Sequence, residues 1–223
     1  MNHKKLVLTN KDIEEGKHRE AVGGKWDEIG ELQFDWFVKK GLKKENTFLD
    51  VGCGSLRGGI HFVNFLEKGN YYGIDINEYL IKAGKIELQK LDILNKEPTL
   101  IVNGDFNFGL FNQRFDFAFA QSVFTHLSLD EIYKCLVQIE KVLKSNGEFY
   151  ATFFEAKNKK YNLESLNDLL YKSKNEDKDP YYYPFSVFPF IIRDLSLTVE
   201  YIGNWNHPRK QKMLLFKKKK KNS

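Results

Sequence analysis

The stretch FLDVGCGSLRGG, residues 48–59, sets a short apolar run with an acid directly before a glycine-rich turn. An apolar run that ends at Asp50 predicts a strand, and open α/β sheets bind their ligands outside the carboxyl ends of such strands. Gly52 and Gly54 would let a ligand approach the main chain closely. We therefore predict a binding site at the turn that follows this strand.

Strand and helix patterns alternate on both sides of this turn. A helical pattern over residues 22–41 comes before the first strand and ends at Gly41. Repeated strand–helix units imply a parallel sheet with right-handed crossovers. The predicted fold is α/β: a doubly wound, mostly parallel seven-stranded sheet with helices on both faces. Its later elements are helices at 58–66, 78–91 and 129–143, strands at YYGIDI, TLIVNGD, FDFAFA and GEFYATFF, a turn at 145–147, and a closing strand pair at LTVEYIGNW and QKMLLFKK.

The composition indicates one large domain with additions. We predict an N-terminal helical cap over residues 1–46 and a main domain over 47–223. A polar stretch suggests an insertion or lid around 156–190, and the chain ends in a lysine-rich tail at 217–223. With 223 residues, of which 42% are hydrophobic, the chain can bury a sizeable core.

The charge of the chain argues against nucleic acid as a partner. The net charge is +5, and Lys217 to Lys221 supply five positive charges, so the rest of the chain is neutral. Nucleic-acid binders concentrate Lys and Arg on a face of the folded domain, whereas this excess lies in a terminal run typical of a solvated tail. We expect no nucleic-acid partner, and an RNA or lipid contact of the tail is the alternative.

Other sequence features bear on location and metals. No apolar run approaches the roughly 18 residues of a membrane helix, and the N-terminus lacks the apolar core of a secretory signal. We expect no membrane association and a cytoplasmic protein. Cys53 and Cys135 have no second cysteine or histidine at metal spacing, so we expect neither a disulfide nor a metal site.

Two acids follow the next two predicted strands. Asp75 ends YYGIDI, 21 residues after Gly54, at the position where an acid accepts hydrogen bonds from a ribose diol. Its alternative role is a helix cap. Asp105 ends the third predicted strand and could accept an adenine amino proton while Phe106 packs on the ring, although Asp105 is also well suited to a turn.

Together these residues resemble the class I S-adenosylmethionine-dependent methyltransferases. The resemblance spans about residues 47–154, and GGKWDEIGELQFDW, GCGSLRGG, NYYGIDIN, SVFTHL and NHPRKQKML are similar to a bacterial subgroup that acts on small molecules. The usual third glycine of the turn is Leu56 here, and Arg57 could reach the cofactor carboxylate or an anionic substrate. The resemblance implies that S-adenosylmethionine is the cofactor, with S-adenosylhomocysteine as the product. The residues it implies for cofactor binding are Asp50, Gly52, Gly54, Arg57, Asp75, Ile76, Asp105, Phe106 and Gln121.

Methyl transfer is an in-line displacement that chiefly requires positioning of the two reactants. A hydroxyl acceptor also needs a base, and His126, just past the fourth strand, is the candidate. Capping or packing against the next helix is its alternative role. Trp26 could contact the sulfonium or the substrate by a cation–π interaction, with a place in the core as its alternative. His207 and Arg209 could bind an anion together, with a plain turn as their alternative. Tyr182 could line the acceptor pocket, with aromatic packing as its alternative, and Arg57 is the remaining candidate for substrate binding.

Three functions follow from these patterns. The first is an O-methyltransferase acting on a small, anionic molecule, such as a phosphorylated or nucleotide-linked sugar precursor of a surface polysaccharide. The second is an RNA methyltransferase. The third is a non-catalytic adenosine-nucleoside or NAD-binding protein. Strand four leads into AQSVFTHL and not into an Asn/Asp-Pro-Pro-aromatic motif, which disfavours methylation of a base nitrogen. The oligomeric state is not predicted.

Overall fold

The structure, a computed structural model, describes residues 6–156 and 180–220. The chain forms two compact units, Met1–Asn107 and Phe108–Ser223.

The first unit is built on three parallel strands. They lie in the order β3-β2-β1, with Phe48 opposite Tyr71 and Tyr72 opposite Thr99. The strands are β1 (Phe48–Val51), β2 (Tyr71–Asp75) and β3 (Thr99–Val102). The helices of this unit are α1 (Asn10–Glu14), α2 (Lys17–Ala21), α3 (Trp26–Lys39), α4 (Gly59–Phe65) and α5 (Glu78–Lys90).

Local signals explain the ends of these helices. Helix α3 ends just before Gly41, which has a φ of +88° that glycine adopts without strain. The side chain of Asn77 accepts hydrogen bonds from the main-chain N–H groups of Tyr79 and Leu80 and so caps α5. The predicted helices at 58–66 and 78–91 are therefore confirmed to within one residue at each end.

Aromatic side chains fill the space between α3, α4 and the sheet. The ring of Phe48 stacks on Phe62 at 4.2 Å and meets Phe37 edge-on at 4.9 Å, and all three side chains are fully buried. The N-terminal segment packs on helix α5, where Leu8 and Ile13 form a buried cluster with Leu80. Residues 6–46 thus share the core of this unit.

The second unit combines parallel and antiparallel strands. Strand β5 lies parallel to β4 and β6 and antiparallel to β8, which in turn lies antiparallel to β7. The strands are β4 (Phe115–Ala120), β5 (Leu143–Glu155), β6 (Tyr182–Tyr183), β7 (Leu197–Asn204) and β8 (Lys212–Lys218). Its helices are α6 (Leu129–Val142) and α7 (Val187–Ile191).

Two local predictions in this unit need correction. The predicted turn at 145–147 lies inside β5, where the register shifts so that Phe115 pairs with Leu143 but Phe117 pairs with Glu148. The extra residues form a bulge that continues the strand. The predicted solvated tail also begins too early, because Lys217 and Lys218 belong to β8.

The first lysines of the predicted tail are held by the fold. The ammonium of Lys217 pairs with Glu148, and the main-chain N–H and ammonium of Lys219 donate to the carbonyls of Ser196 and Leu195. Residues 221–223 lie outside the described part of the chain. Of the five lysines of the predicted tail, Lys217, Lys218 and Lys219 therefore belong to the folded part of the chain.

The fold class is confirmed as a mixed, mostly parallel α/β sheet with helices. The described residues add the two-residue strand β6 to the seven predicted strands. No helix within residues 6–156 and 180–220 is long and apolar enough to cross a membrane. Most of the predicted lid, residues 157–179, lies outside the described residues.

Candidate functional site

The carboxylate of Asp75 lies at the end of β2 and binds the glycine turn. Its Oδ2 accepts a hydrogen bond from the main-chain N–H of Gly54 at 2.9 Å, and its Oδ1 accepts one from Asn77 at 2.8 Å. Because Asn77 provides the cap of α5, Asp75 is not the helix cap. That alternative for Asp75 is wrong.

The environment of Asp75 suits hydroxyl binding. The residue is buried at 8% exposure, and burial raises its pKa, while the N–H groups of Asn77 and Gly54 oppose the rise. A carboxylate offers about four lone-pair positions, so these bonds leave capacity for a hydroxyl donor. The residues present at this turn fit the ribose of S-adenosylmethionine.

The glycine turn departs from three glycines at Leu56. Gly52 and Gly54 have φ values of +68° and +55°, and Leu56 adopts +67°, a conformation that is unfavourable for leucine. Its side chain is fully buried and occupies space next to Gly59 and Gly84, where a Cβ atom would come within 2.9 Å of it. Gly59 in α4 and Gly84 in α5 thus leave room for the leucine side chain. Sequence spacing alone did not reveal that these two glycines compensate for Leu56.

Asp50 lies beneath the turn and has a defined partner. The hydroxyl of Tyr71 donates to its Oδ2 at 2.6 Å, and both side chains are buried. Burial raises the pKa of Asp50 to about 7, an effect that the Tyr71 hydrogen bond opposes and the charge of Asp75 strengthens. Asp50 is therefore a buried acid with a raised pKa, bound to Tyr71 beneath the glycine turn.

Arg57 anchors the N-terminal segment to the turn. Its Nη1 donates to the carbonyls of Val22 at 3.0 Å and Gly24 at 2.9 Å, and the side chain is buried. These bonds commit one nitrogen of the guanidinium to the main chain. The expected contact of Arg57 with a cofactor or substrate carboxylate stays a prediction.

Trp26 is the first residue of α3 and lies within the predicted helical pattern. Its indole is buried, with the guanidinium of Arg19 4.9 Å from the ring centroid and the ring of His18 edge-on at 5.8 Å. The cation that Trp26 meets in the structure is therefore Arg19.

A buried ion-pair cluster joins the same segment to α5. The carboxylate of Glu87 receives Nε2 of His18 at 2.9 Å and Nη2 of Arg19 at 2.7 Å. Burial alone would raise the pKa of Glu87, but these two hydrogen bonds outweigh it and lower the pKa to about 2. Sequence analysis missed this cluster because its partners lie almost seventy residues apart.

The predicted adenine-side residues surround an exposed apolar patch. Ile76, which is 41% exposed, directly follows Asp75. Val102, which is 48% exposed, pairs with Asp75 at the end of β3. Asp105 lies three residues beyond the end of β3 and is exposed, so it does not end that strand as predicted. Phe106 has a φ of +56° in the same loop. The loop leaves Asp105 and Ile76 accessible to a ligand.

The second unit places a buried polar network after β4. The main-chain N–H of Ser122 donates to Oγ1 of Thr152 at 2.7 Å, and that hydroxyl donates to Oε1 of Gln211 at 2.8 Å. Nε2 of Gln121 donates to Oγ of Ser122 at 2.6 Å. Ser122 has a φ of +61°, so the network fixes a strained turn at the end of the strand.

His207 belongs to this network and is 4% exposed. Its Nδ1 accepts the main-chain N–H of Arg209 at 3.3 Å, and its Nε2 lies 3.2 Å from Nε2 of the Gln121 side chain. His207 is thus buried, and its predicted contact with an anionic substrate stays a prediction. The side chain of Arg209 is exposed.

His126 lies exposed in the turn between β4 and α6. Ser128 caps α6 together with Glu131, which excludes the alternative that His126 is the helix cap. Segment 181–183 supports the turn, because the main-chain N–H of Tyr181 donates to the carbonyl of Thr125 at 2.7 Å.

The aromatic residues of this segment have different environments. The hydroxyl of Tyr183 donates to the carbonyl of Leu127 at 2.8 Å, and its side chain is buried. Tyr182 is 58% exposed and stacks on Phe154 at 5.1 Å. Tyr182 is thus accessible to a substrate, whereas Tyr183 has a structural role.

Comparison with known proteins identifies the family. The sequence model of the methyltransferase domain matches residues 42–201, more than half of the chain. An uncharacterised methyltransferase of Schizosaccharomyces pombe is 27% identical over 117 residues, which make up 50% of this chain and 41% of that protein. The chain therefore spans about two fifths of the length of this curated relative.

Solved structures share the fold at low sequence identity. An S-adenosylmethionine-dependent methyltransferase from Clostridium acetobutylicum has a TM-score of 0.66 and 11% identity, with 95% of this chain and 99% of that chain covered. Magnesium protoporphyrin IX methyltransferase from Synechocystis PCC 6803, with bound S-adenosylmethionine, has a TM-score of 0.62 and 14% identity, with coverage of 96% and 87%. Together with the domain match, these findings show that the chain belongs to the class I S-adenosylmethionine-dependent methyltransferases, whose methyl donor is S-adenosylmethionine.

Proposed function

We propose that this methyltransferase transfers a methyl group to a hydroxyl oxygen of a small, anionic molecule. The observation that carries the proposal is the exposed imidazole of His126 in the turn that follows β4. Methyl transfer to a hydroxyl requires removal of one proton, and an accessible imidazole is a suitable acceptor for it.

On the cofactor side, we assign the ribose diol to Asp75. Removal of water from buried Asp75 has to be offset by hydrogen bonds, and a ribose hydroxyl supplies a charge-assisted one. The exposed apolar surface of Ile76 and Val102 suits an adenine ring, with Asp105 and Phe106 in the adjoining loop. Together with Gly52 and Gly54, these residues form the proposed cofactor site.

On the acceptor side, the proposed step is a direct displacement. The acceptor oxygen forms a bond to the methyl carbon as the carbon–sulfur bond breaks, S-adenosylhomocysteine leaves, and the hydroxyl proton moves to His126. Gln121 and Ser122, fixed by Thr152 and Gln211, provide amide and hydroxyl groups next to that turn. Such a fixed polar turn favours positioning of a hydroxyl-rich acceptor.

Charge and aromatic side chains suggest the class of acceptor. Arg209 is exposed and Tyr182 is 58% exposed, a combination that suits a phosphorylated or nucleotide-linked sugar. A role in surface polysaccharide synthesis would follow from such an acceptor. RNA is the weaker candidate, because Lys217 is paired with Glu148.

A direct test uses the full chain with S-adenosylmethionine labelled in its methyl group. We would incubate it with panels of sugar phosphates, nucleotide sugars, simple phenols and total RNA, and locate the label by mass spectrometry and NMR. Label on a sugar oxygen supports the proposal. Label on nitrogen or on RNA, or cofactor binding without transfer to any hydroxyl compound, contradicts it.

A further inference from the structure

A cavity lies in the first unit, at the loops that lead into its strands. Its volume is about 440 Å³, within the range of small-molecule sites. Lys44 lies before β1, Glu67 before β2 and Lys96 before β3, and all three line the cavity.

The position of this cavity separates it from the cofactor turn. Because β1, β2 and β3 are parallel, the loops that enter them lie at one edge of the sheet. Gly52 and Gly54 follow β1 at its opposite end, and Asp75 is the last residue of β2. A four-residue strand is about 13 Å long, so a small ligand in the cavity would not reach the turn.

One wall of the cavity is aromatic. The rings of Phe34 and His61 stack at 6.0 Å with an interplanar angle of 26°, and Phe65 meets Phe34 edge-on at 5.4 Å. Burial lowers the pKa of His61, an effect that nearby acids oppose, so the imidazole is neutral at neutral pH. The wall therefore offers half-buried, uncharged ring surface to a flat ligand.

The residues that line the cavity carry a net positive charge, and Asp27, Glu31 and Asp35 lie close enough to His61 to oppose the lowering of its pKa. Lys44 and Lys96 contribute two ammonium groups and Glu67 one carboxylate. The ammonium of Lys96 donates to the carbonyl of Leu66 at 2.9 Å, which uses one of its three donors. The nearby carboxylate of Glu97 is paired with Lys68 at 2.7 Å and so does not cancel this charge.

We propose that this cavity is a second binding site, for a small planar aromatic anion such as an aromatic carboxylate or sulfonate. The ligand ring would lie against Phe34 and Phe65, and its acidic group would meet Lys44 and Lys96. This site does not depend on the proposed methyl acceptor.

The test titrates the full chain with the fluorescent anion anilinonaphthalene sulfonate, with and without saturating S-adenosylhomocysteine. We expect saturable binding of one probe that S-adenosylhomocysteine does not displace. Lys44→Gln and Phe34→Leu should each weaken binding about threefold, and the double variant about tenfold. The matched control is Lys85→Gln, which changes an exposed lysine of α5 and should leave binding unaltered.

Three results would overturn the proposal. The first is the absence of saturable binding, and the second is displacement of the probe by S-adenosylhomocysteine. The third is equal affinity in Lys44→Gln, Phe34→Leu and the control. Calorimetry with S-adenosylhomocysteine on the same variants reports separately on the cofactor site, so a failure there is distinguishable from a failure at this cavity.

Discussion

The Asp75 carboxylate accepts the main-chain N–H of Gly54 at 2.9 Å, so the acid that ends β2 fixes the glycine turn that follows β1. One side chain therefore shapes the turn and, in our proposal, binds the ribose. A change at Asp75 should affect both, and experiments at this position need a measurement of folding beside the measurement of affinity.

We expect Asp75→Ala to lower the affinity for S-adenosylhomocysteine by roughly tenfold or more. Loss of a buried hydrogen-bond acceptor costs about 1–3 kcal/mol, and about 1.4 kcal/mol corresponds to tenfold in affinity. Calorimetry measures this, with thermal unfolding to verify the fold. Glu78→Ala, an exposed acid three residues later, is the matched control. Unchanged affinity in a folded Asp75→Ala protein would contradict the ribose assignment.

Asp50 should make the stability of the protein depend on pH. Its pKa is raised from 3.8 to about 7 in the folded state, chiefly by burial. The unfolded chain therefore loses this proton at lower pH than the folded chain, and the free energy of unfolding falls as pH rises from about 4 to about 7. Between about pH 5 and about pH 8, this contribution is at most about 3 kcal/mol.

Asp50→Asn should remove that pH dependence, since an amide does not titrate. Urea unfolding of both proteins at the two pH values measures the difference. Tyr71→Phe provides a second comparison: it removes the hydrogen bond that holds the pKa down, so the fall should extend to higher pH. Parallel pH profiles for the native protein and Asp50→Asn would show that Asp50 does not titrate in this way.

Glu87→Gln should loosen the N-terminal segment from α5. The change leaves buried His18 and half-exposed Arg19 without their carboxylate partner; loss of a buried partner costs about 3 kcal/mol, and the exposed Arg19 contributes less than buried His18. The native contribution is present above about pH 4.5 and lost as pH falls toward about 2, because the folded pKa is the lower one.

Urea unfolding near neutral pH and limited proteolysis of the segment measure these effects of Glu87→Gln. The control is Glu14→Gln, an exposed acid of α1 that should leave both measurements unaltered. Equal stability of the two variants would show that the cluster does not hold the segment.

Local patterns explain which parts of this fold were predictable. The apolar composition of β4 indicates a strand. The helical period of α6 and the Ser128–Glu131 cap indicate a helix, and all these signals lie within a few positions of one another. Asp75 was found in the same way, since its distance from Gly54 reflects one strand–helix–strand unit. These signals need no knowledge of long-range contacts.

The parts that were missed depend on distant partners. His18 and Glu87 are 69 residues apart, and Gln121 and Gln211 are 90 apart, so no local pattern joins them. The conformation of Leu56 in the glycine turn likewise depends on the space that Gly84 leaves in α5. Buried polar clusters of this kind follow from tertiary packing and not from periodicity.

His126 offers the sharpest test of the proposed acceptor chemistry. Once an acceptor is known, His126→Gln should lower turnover by roughly 10²-fold, because a general base contributes about that much to transfer from a hydroxyl. The affinity for S-adenosylhomocysteine should stay within about twofold, since only the transition state loses a partner. Lys85→Gln, which changes an exposed residue of α5, is the control and should keep full turnover. If His126→Gln also kept full turnover, the acceptor would have to be ionised before it binds, as a phosphate or carboxylate is, and positioning alone would be sufficient for the transfer.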